Sequence, residues 1–182
     1  GKIRLENDAF VDGDATGYVF DITGNAMVTG ETVLAPAPLE FIPVDIPAGL
    51  EDLGSLNIQY DETFTLGPGS YRVTDLEVRD NGILQIENAE GPVTLYITGK
   101  AKVRDSGRIT MSADNPEKFA LYVASTYPVD IRNNGAFFGV VYAPKSTVDI
   151  RGYGELFGSF IGQSVRLRDD AQVHYDTALR GE

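Results

Sequence analysis

The chain has 182 residues, a formal net charge of −12 and no cysteine. The length suits one domain with a sizeable core, or one elongated repeat domain. Without cysteine, disulfides, cysteine-based metal sites and thiol catalysis are excluded, and the acidic charge disfavours nonspecific adhesion to nucleic acid or anionic membranes. The 20 glycines, nine tyrosines and nine phenylalanines suit an all-β protein rich in turns.

Residues 1–34 contain two weak copies of a repeat unit. Leu5–Val11 and Ile22–Val28 share an apolar start, a polar corner and an apolar end. The oxygen ligands that could surround a Ca²⁺ ion are Asn7, Asp8, Asp12 and Asp14. Their spacing fits no EF-hand, and Asp also favours turns directly. We therefore predict corner residues, no metal site, and the first coils of a larger stack.

Residues 35–70 interrupt this pattern. Four prolines between Ala35 and Leu53 remove backbone donors and favour extended conformations. The apolar residues among them are too many for a free linker, so we expect the segment to cover a face from outside. A short helix is predicted near Leu50–Leu56, and Gly67-Pro68-Gly69 predicts a hairpin or a bent strand over Thr63–Tyr71.

The repeat becomes regular from Tyr71 onward. Leu121–Gly139 and Val140–Gly158, aligned without gaps, agree at eight of nineteen positions. Five rungs share one pattern: Leu76–Arg79, Ala101–Arg104, Val129–Arg132, Val148–Arg151 and Val165–Arg168. Apolar and charged residues alternate in each, so one side of a strand points inward and the other meets water. The glycine after most rungs is predicted to form a corner through a conformation that other residues avoid.

Aromatic residues recur at the spacing of the repeat. The strands ahead of four rungs correspond: Leu95–Ile97, Leu121–Val123, Val140–Tyr142 and Phe160-Ile161. Inward stacking is predicted for Tyr122, Phe138, Tyr142, Phe157 and Phe160. The candidates for exposed tyrosines that stack on sugar rings are Tyr18, Tyr60, Tyr71 and Tyr153.

The last stretch, Val173–Leu179, is predicted to cover the final rung, because a solenoid end otherwise exposes unpaired backbone. His174 is the only histidine. One histidine cannot make a typical zinc site, and no nucleophile sits in a recognisable elbow. We predict that His174 packs within the cap and does not act as an acid or base.

A unit of this kind cannot bury its apolar side alone and must stack on its copies. The predicted fold is all-β, a single-stranded β-solenoid (parallel β-helix) expected to be right-handed. One solenoid domain should span residues 1–182, with first coils in 1–34, the Pro-rich excursion and hairpin in 35–70, and regular coils and the cap in 71–182.

Val140–Leu179, with its Tyr142-Ala-Pro and His174-Tyr-Asp signatures, resembles the β-helical C-terminal domain of bacterial PilX-type, minor-pilin-like pilus-assembly proteins. Gly24–Gly30 looks like the first coils of the same family. The resemblance implies an exported domain at a bacterial cell surface, with pilus subunits as candidate partners and no catalytic residue. The hydrophobic N-terminus of such proteins is missing here, and we expect any anchoring segment to lie upstream.

Five of the ten arginines take the last position of a rung: Arg79, Arg104, Arg132, Arg151 and Arg168. Stacked strands lie about 4.8 Å apart, so these charges would repel unless something offsets them. The nearby carboxylates are Asp80, Asp105, Asp130, Asp149 and Asp169, and we predict that they neutralise the column internally. The alternative is an external polyanion, either nucleic acid or an acidic polysaccharide, so the column is the candidate ligand site.

The sequence thus predicts a non-enzymatic surface or pilus-associated module for adhesion or structural display. We expect it to be monomeric, without cofactor or membrane contact of its own, and to meet pilus subunits, a surface glycan or another polyanion. A self-assembling scaffold resembling bactofilins is one alternative. A carbohydrate-active β-helix enzyme is another, although it would need a convergent acidic cluster, whereas Asp130 and Asp149 each lie near an arginine.

Overall fold

The structure is a computed structural model that describes residues 1–113 and 115–175. Over these residues it contains β-strands, which pair in parallel, and one short 3₁₀ helix, Pro116–Lys118. Stacked parallel strands confirm the predicted β-solenoid. The helix predicted near Leu50–Leu56 is wrong, since two short strands occupy that stretch.

Residues 1–34 form six short strands. These are β1 (Lys2–Leu5), β2 (Phe10–Asp12), β3 (Ala15–Gly17), β4 (Val19–Ile22), β5 (Met27–Val28) and β6 (Thr32–Leu34). β4 and β5 pair with β1 and β2, and β3 pairs with β6 in a separate two-stranded sheet. We call these two layers the N-terminal coils.

Residues 51–175 form six further layers, the contiguous coils. Their strands are β7 (Glu51–Asp52), β8 (Leu56–Ile58), β9 (Thr63–Leu66), β10 (Gly69–Val73), β11 (Leu76–Val78), β12 (Ile83–Ile86), β13 (Val93–Ile97), β14 (Ala101–Arg104), β15 (Arg108–Met111), β16 (Phe119–Val123), β17 (Val129–Arg132), β18 (Ala136–Arg151), β19 (Glu155–Arg168) and β20 (Gln172–His174). β18 and β19 are long because each continues around two corners of the solenoid.

The N-terminal coils stack beyond the last contiguous coil. β1 pairs with β19, which places Ile3 opposite Val165, and β2 pairs with β20, which places Val11 opposite Val173. The prediction that residues 1–34 begin the stack is therefore wrong in space. The predicted cap is also wrong for its described part, because β20 lies between β19 and β2; residues 176–179 lie outside the described residues.

Residues 35–50 connect the two ends of the stack along the outside. The amide of Ala35 donates to the carbonyl of Gly17 at 2.8 Å, while β7, at the opposite end, pairs with β10. Midway, the Tyr142 hydroxyl donates to the carbonyl of Ile42 at 2.6 Å. The segment thus covers a face of the solenoid, as predicted, and we call it the covering segment.

The predicted hairpin around Gly67-Pro68-Gly69 is wrong. β9 and β10 pair not with each other but with β12 and β13 of the next coil. The chain turns a corner between them, with Gly69 at φ +149°, a region that favours glycine. The alternative, a bent strand, describes this stretch.

The strands line three faces, which we name by what their outward side chains do. The arginine face contains β8, β11, β14, β17, residues 148–151 and 165–168, β1 and β4. The aromatic face contains β9, β12, β15, residues 136–138 and 155–157, β20, β2 and β5. The covered face contains β7, β10, β13, β16 and residues 140–143 and 159–162.

The core is a set of inward columns that run through the stack. One column on the arginine face consists of Val78, Val103, Ile131, Ile150, Leu167 and Leu5, each at most 4 % exposed. Burial of each such side chain is worth roughly 1.5–3 kcal/mol. The predicted inward orientation of Ile131 and Ile150 is confirmed.

The corner glycines serve a different purpose from the one predicted. Before Gly135, the left-handed conformations belong to Asn133 (φ 51°) and Asn134 (φ 61°), while Gly135 itself has no such φ. A Cβ on Gly135 would instead lie 2.4 Å from the carbonyl oxygen of Val103 in the neighbouring coil. Close approach of backbones, not an unusual dihedral angle, therefore requires glycine here.

The repeat alignment holds on two faces and shifts on the third. Val129 lies opposite Val148 on the arginine face, nineteen residues apart as aligned. On the covered face Leu121 lies opposite Val141, not opposite Val140. The corner between these two faces is one residue shorter in the later coil, a difference that an ungapped alignment cannot represent.

Candidate binding faces

The predicted arginine column exists as a geometric feature. Arg104, Arg132, Arg151 and Arg168 lie opposite one another on successive strands, and Arg79 directly follows β11, which pairs with β14. The five side chains are only 24–31 % exposed. They therefore lie flat against the arginine face.

Carboxylates bind each arginine of the column. Asp130 lies 3.4 Å from both Arg132 and Arg151, and Asp149 lies 3.2 Å from Arg151 and 3.5 Å from Arg168. The remaining pairs are Arg79 with Asp80 at 2.6 Å, Arg104 with Glu77 at 2.8 Å and with Asp105, and Arg168 with Asp169 at 4.0 Å. These contacts match the predicted internal neutralisation, and polyanion binding stays an untested prediction.

The electrostatics are strongest around Arg104. The Asn133 amide donates to Asp105 at 2.8 Å, and this bond, helped by Arg104 and opposed by burial, lowers the pKa of Asp105. Burial by itself would lower the pKa of Arg104, but the hydrogen bond to Glu77 and the charges of Asp105 and Glu77 outweigh it and raise that pKa. Both groups are thereby held in their charged forms.

The ion pairs continue onto the N-terminal coils. Arg166 donates from two nitrogens to Glu6, at 2.9 and 2.8 Å, and Arg4 donates to Asp21 at 2.9 Å. The pair Arg166–Glu6 thus crosses the junction between the last contiguous coil and residues 1–34, where Arg4 lies opposite Arg166 and is paired with Asp21. The face is a lattice of internal ion pairs and not a set of free charges.

The predicted inward stacking of aromatic residues is wrong for four of five. Tyr122, Phe138, Tyr142 and Phe157 are partly exposed and point outward, because the residues just before them, among them Leu121 and Phe137, take the inward positions. Phe160 does pack against the core. Adjacent apolar residues in a strand cannot both face inward, and the pair Phe137-Phe138 contained that signal.

The outward rings on the aromatic face form a continuous stack. Phe138 and Phe157 have ring centroids 4.4 Å apart and planes 7° apart, and Phe157 and His174 are 4.8 Å and 14° apart. Phe10 lies 6.3 Å from His174. We call these four residues the aromatic strip. Because the rings stack along the solenoid axis, their edges rather than their faces meet solvent, which disfavours stacking of sugar rings on them.

Polar side chains border the aromatic strip at both ends and along one side. On one end Thr110 donates to Gln85 at 2.8 Å, and on the other Thr29 donates to Asp12 at 2.8 Å. In the adjacent column, Glu155 and Gln172 lie next to each other on neighbouring strands. The strip is therefore an apolar ridge within a polar surface. His174, predicted to pack, contributes its ring to this stack.

A second aromatic stack lies on the covered face. Tyr96 and Tyr122 have centroids 5.4 Å apart, and Tyr122 and Tyr142 have centroids 5.8 Å apart. Tyr142 is the residue that bonds the covering segment at Ile42. This group of tyrosines is therefore tied to the covering segment through Tyr142.

The four tyrosines predicted to be exposed are scattered. Tyr18, Tyr60 and Tyr153 are 41, 70 and 62 % exposed. Tyr71 is half-buried, and its hydroxyl donates to the carbonyl of Gly67 at 3.1 Å. These residues do not share one strand column, so they do not form one sugar-binding surface.

The acidic corner residues of the N-terminal coils engage the neighbouring coil. Asp8 accepts a hydrogen bond from Asn25 at 2.9 Å, Asp12 accepts one from Thr29, and Asp14 accepts one from the amide of Glu31 at 2.9 Å. In the part of the chain that the structure describes, no group of three or more His, Cys, Asp or Glu side chains could hold a metal ion.

A cavity of about 330 Å³ lies where the last contiguous coil meets the N-terminal coils. Its lining includes Phe160 and Val165 of β19, Ile3 of β1, and Leu39 and Phe41 of the covering segment. The lining is mostly apolar, and its charged residues are Lys2 and Asp14. Nothing in the sequence pattern predicted it.

The fold and these faces can be compared with known proteins. A family model described as a domain of unknown function, DUF7305, matches residues 54–182, more than two thirds of the chain. The chain belongs to the DUF7305 family. The match takes in all of the contiguous coils but the first short strand, and it leaves out residues 1–53.

The DUF7305 chain also resembles a solved structure, the crystal structure of an ice-binding protein from an Antarctic ascomycete, Antarctomyces psychrotrophicus. The TM-score is 0.59 at 14 % sequence identity, over 97 % of this chain and 91 % of the other. At this identity the likeness shows the fold alone. No curated protein matches the sequence, and neither finding concerns a pilus. Among the described residues, no helix is long and apolar enough to cross a membrane.

Proposed function

We propose that the chain is a non-catalytic module, displayed at a bacterial surface, that binds its partner through the aromatic face. The observation that carries this proposal is the difference between the three faces. The covered face lies under residues 35–50, and the arginine face binds its own charges in ion pairs. The aromatic face alone combines a continuous apolar ridge with polar borders, the composition of a contact surface.

The same contacts argue against catalysis. Asp130 and Asp149, the carboxylates that repeat on successive coils, are both bound to arginines. A glycosidase needs two carboxyl groups that face one cleft and act as acid and base. His174 uses its ring to stack on Phe157. Adhesion and structural display need only a rigid scaffold that presents a surface, and stacked coils form such a scaffold.

Self-assembly is the second candidate, and the outermost N-terminal coil favours it. Six of the twelve exposed large apolar residues of the described chain lie between Tyr18 and Leu34. The inward positions Ile22 and Leu34 are 44 and 68 % exposed there, because no further coil covers them among the described residues. An open end of this kind is a site for end-to-end association.

Ice binding is a weaker candidate that rests on the fold. Charged groups hold their own hydration water, and the arginine face is charged throughout. The aromatic face places Glu155 opposite Gln172 and Ala136, which gives no regular uncharged array. A recrystallisation assay on the purified chain tests this candidate directly.

Beads coated with the chain test the proposed function. Their adhesion to bacterial envelopes, polysaccharide films, apolar surfaces and ice is compared for wild type, Phe138→Ser/Phe157→Ser, and the control Arg132→Gln/Arg151→Gln. We expect wild-type beads to adhere to at least one surface, and only the aromatic-face variant to lose this adhesion. Equal loss in both variants, or no adhesion by wild type, contradicts the proposal.

A further inference from the structure

The cavity between the contiguous and N-terminal coils arises because the sheet opens there. β19 pairs with β1 on the arginine face, and β20 pairs with β2 on the aromatic face. On the third side, residues 159–162 and β3 have no strand between them among the described residues, and both line the cavity. The two layers are thus joined along two faces and separated along the third.

The core also becomes smaller toward this opening. One inward column reads Ile97, Val123, Ala143 and Gly162 on successive strands. A second ends in Gly139 and Gly158. Gly158 and Gly162 thus add no side chain to the cavity wall, whereas Phe160 between them packs against the core. Protein interiors ordinarily contain few voids larger than a water molecule.

The walls of this space are mostly apolar, and the charged residues in its lining are Lys2 and Asp14, of which Asp14 accepts a hydrogen bond from the amide of Glu31 at 2.9 Å. Ala15 and Val165, each 8 % exposed, and Leu5 and Leu167, both fully buried, belong to the lining. Lys2 lines both this cavity and a second, more polar pocket, whose lining also includes Leu39, Glu40 and Phe41. Its ammonium lies 3.6 Å from Asp21, a carboxylate that Arg4 already binds at 2.9 Å.

We infer that this cavity binds a single aliphatic chain with an anionic head group, and that Lys2 contacts the head group. A volume of about 330 Å³ is roughly that of eleven water molecules in the liquid, which suits a chain of about ten carbons. An apolar cavity favours an apolar occupant over water. The head group lies in the polar pocket, which shares Lys2, Leu39 and Phe41 with the cavity.

Calorimetric titration of the full chain with decanoate, decanol, decylammonium and butanoate tests this site. We expect 1:1 saturable binding of decanoate, at least tenfold tighter than that of butanoate and of decylammonium. Ala15→Leu and Val165→Phe fill the cavity and should weaken decanoate binding at least tenfold without lowering the melting temperature. Lys2→Gln should remove the preference for decanoate over decanol, whereas the control Lys102→Gln, on the arginine face, should leave it intact.

Three outcomes overturn the inference: wild type shows no saturable binding, both filling variants bind like wild type, or binding appears only in a chain that ends at Tyr175. The last outcome would assign the cavity to the chain's own remaining residues. The bead assay on the aromatic face is independent of all three, so failure of this inference leaves the proposed function standing.

Discussion

The contiguous coils and the N-terminal coils are built from the same unit of strand and corner, but neighbouring layers cover them to different extents. In the contiguous coils each layer has a covalent neighbour on at least one side, and inward positions such as Ile131 and Ile150 are fully buried. Residues 35–50 connect the N-terminal coils to the opposite end of the stack, so the N-terminal coils meet the last contiguous coil through strand pairing and not through a direct chain connection. Their outer layer leaves Ile22 at 44 % exposure. The contribution of an inward residue to the free energy of unfolding therefore depends on its layer in the stack and not on its place in the sequence.

The largest expected difference in unfolding free energy is between a buried position in the middle of one inward column and the exposed position at its end. Ile150 and Ile22 both belong to the column that passes through Leu167 and Leu5. Ile150→Asp buries an unpaired charge and should cost about 4 kcal/mol or more of unfolding free energy. Ile22→Asp should cost less than about 1 kcal/mol, because water reaches that position. Denaturant unfolding measures both, and equal losses would show that the outer layer is covered.

A smaller difference in stability is expected at the corner that follows each rung. The amide of Gly135 donates to the backbone carbonyl of Arg132 in a contiguous coil, and the amide of Ala9 donates to the backbone carbonyl of Glu6 at the same place in an N-terminal coil. Gly135→Ala puts a methyl group against the Val103 carbonyl and should cost about 1–3 kcal/mol. Gly67→Ala meets no atom within 4 Å and is the control. If the two variants melt alike, backbone contact does not explain the corner glycines.

The link between the two regions depends on the covering segment. Tyr142→Phe removes the hydroxyl that donates to Ile42 at 2.6 Å and should cost about 1 kcal/mol. Hydrogen exchange of residues 41–50 should become faster, since the segment loses this contact with the solenoid. Tyr122→Phe, in the same stack but without a hydroxyl hydrogen bond among the described residues, serves as control. Unchanged exchange in Tyr142→Phe would show that this hydroxyl does not hold the covering segment against the solenoid.

The smallest effect concerns acid stability within the contiguous coils. The pKa of Asp105 is lowered, chiefly by the Asn133 side chain. A carboxyl with a lowered folded-state pKa contributes stability above its ordinary pKa and loses it as pH falls through the folded value. Asn133→Ala should therefore reduce stability at neutral pH, and the difference from wild type should shrink at strongly acid pH to the pH-independent cost of an alanine at φ 51°. A difference that instead grew toward acid pH would contradict this assignment.

The local unit could be predicted from sequence because alternation and spacing report it directly. The pattern Val-Asp-Ile-Arg gave the inward positions of Ile131 and Ile150, the arginine column and its carboxylate partners. These features depend on contacts between adjacent coils, and aligning the repeats shows which residues of adjacent coils lie opposite each other.

The order of layers could not be predicted, because no local pattern states which end of a stack an early coil joins. Leu5 and Ile22 look like first-coil residues by sequence, and the pairing with β19 depends on contacts some 160 residues away. The orientation of Phe138 and Phe157 was missed for another reason. Apolar character alone predicts burial for both residues, but the neighbouring Phe137 and Leu156 already fill the inward positions.

The order of the layers can be measured directly with engineered disulfides, because the chain contains no cysteine of its own. Arg4 lies opposite Arg166 on adjacent strands, and parallel neighbours are about 4.8 Å apart, within disulfide reach. Arg4→Cys/Arg166→Cys should therefore form an intramolecular disulfide in the folded protein under mild oxidation. In a stack that followed sequence order, β4 would precede β8 and Asp21 would lie opposite Asn57. Asp21→Cys/Asn57→Cys should stay reduced; a disulfide in this second pair, and none in the first, would contradict the structure described here.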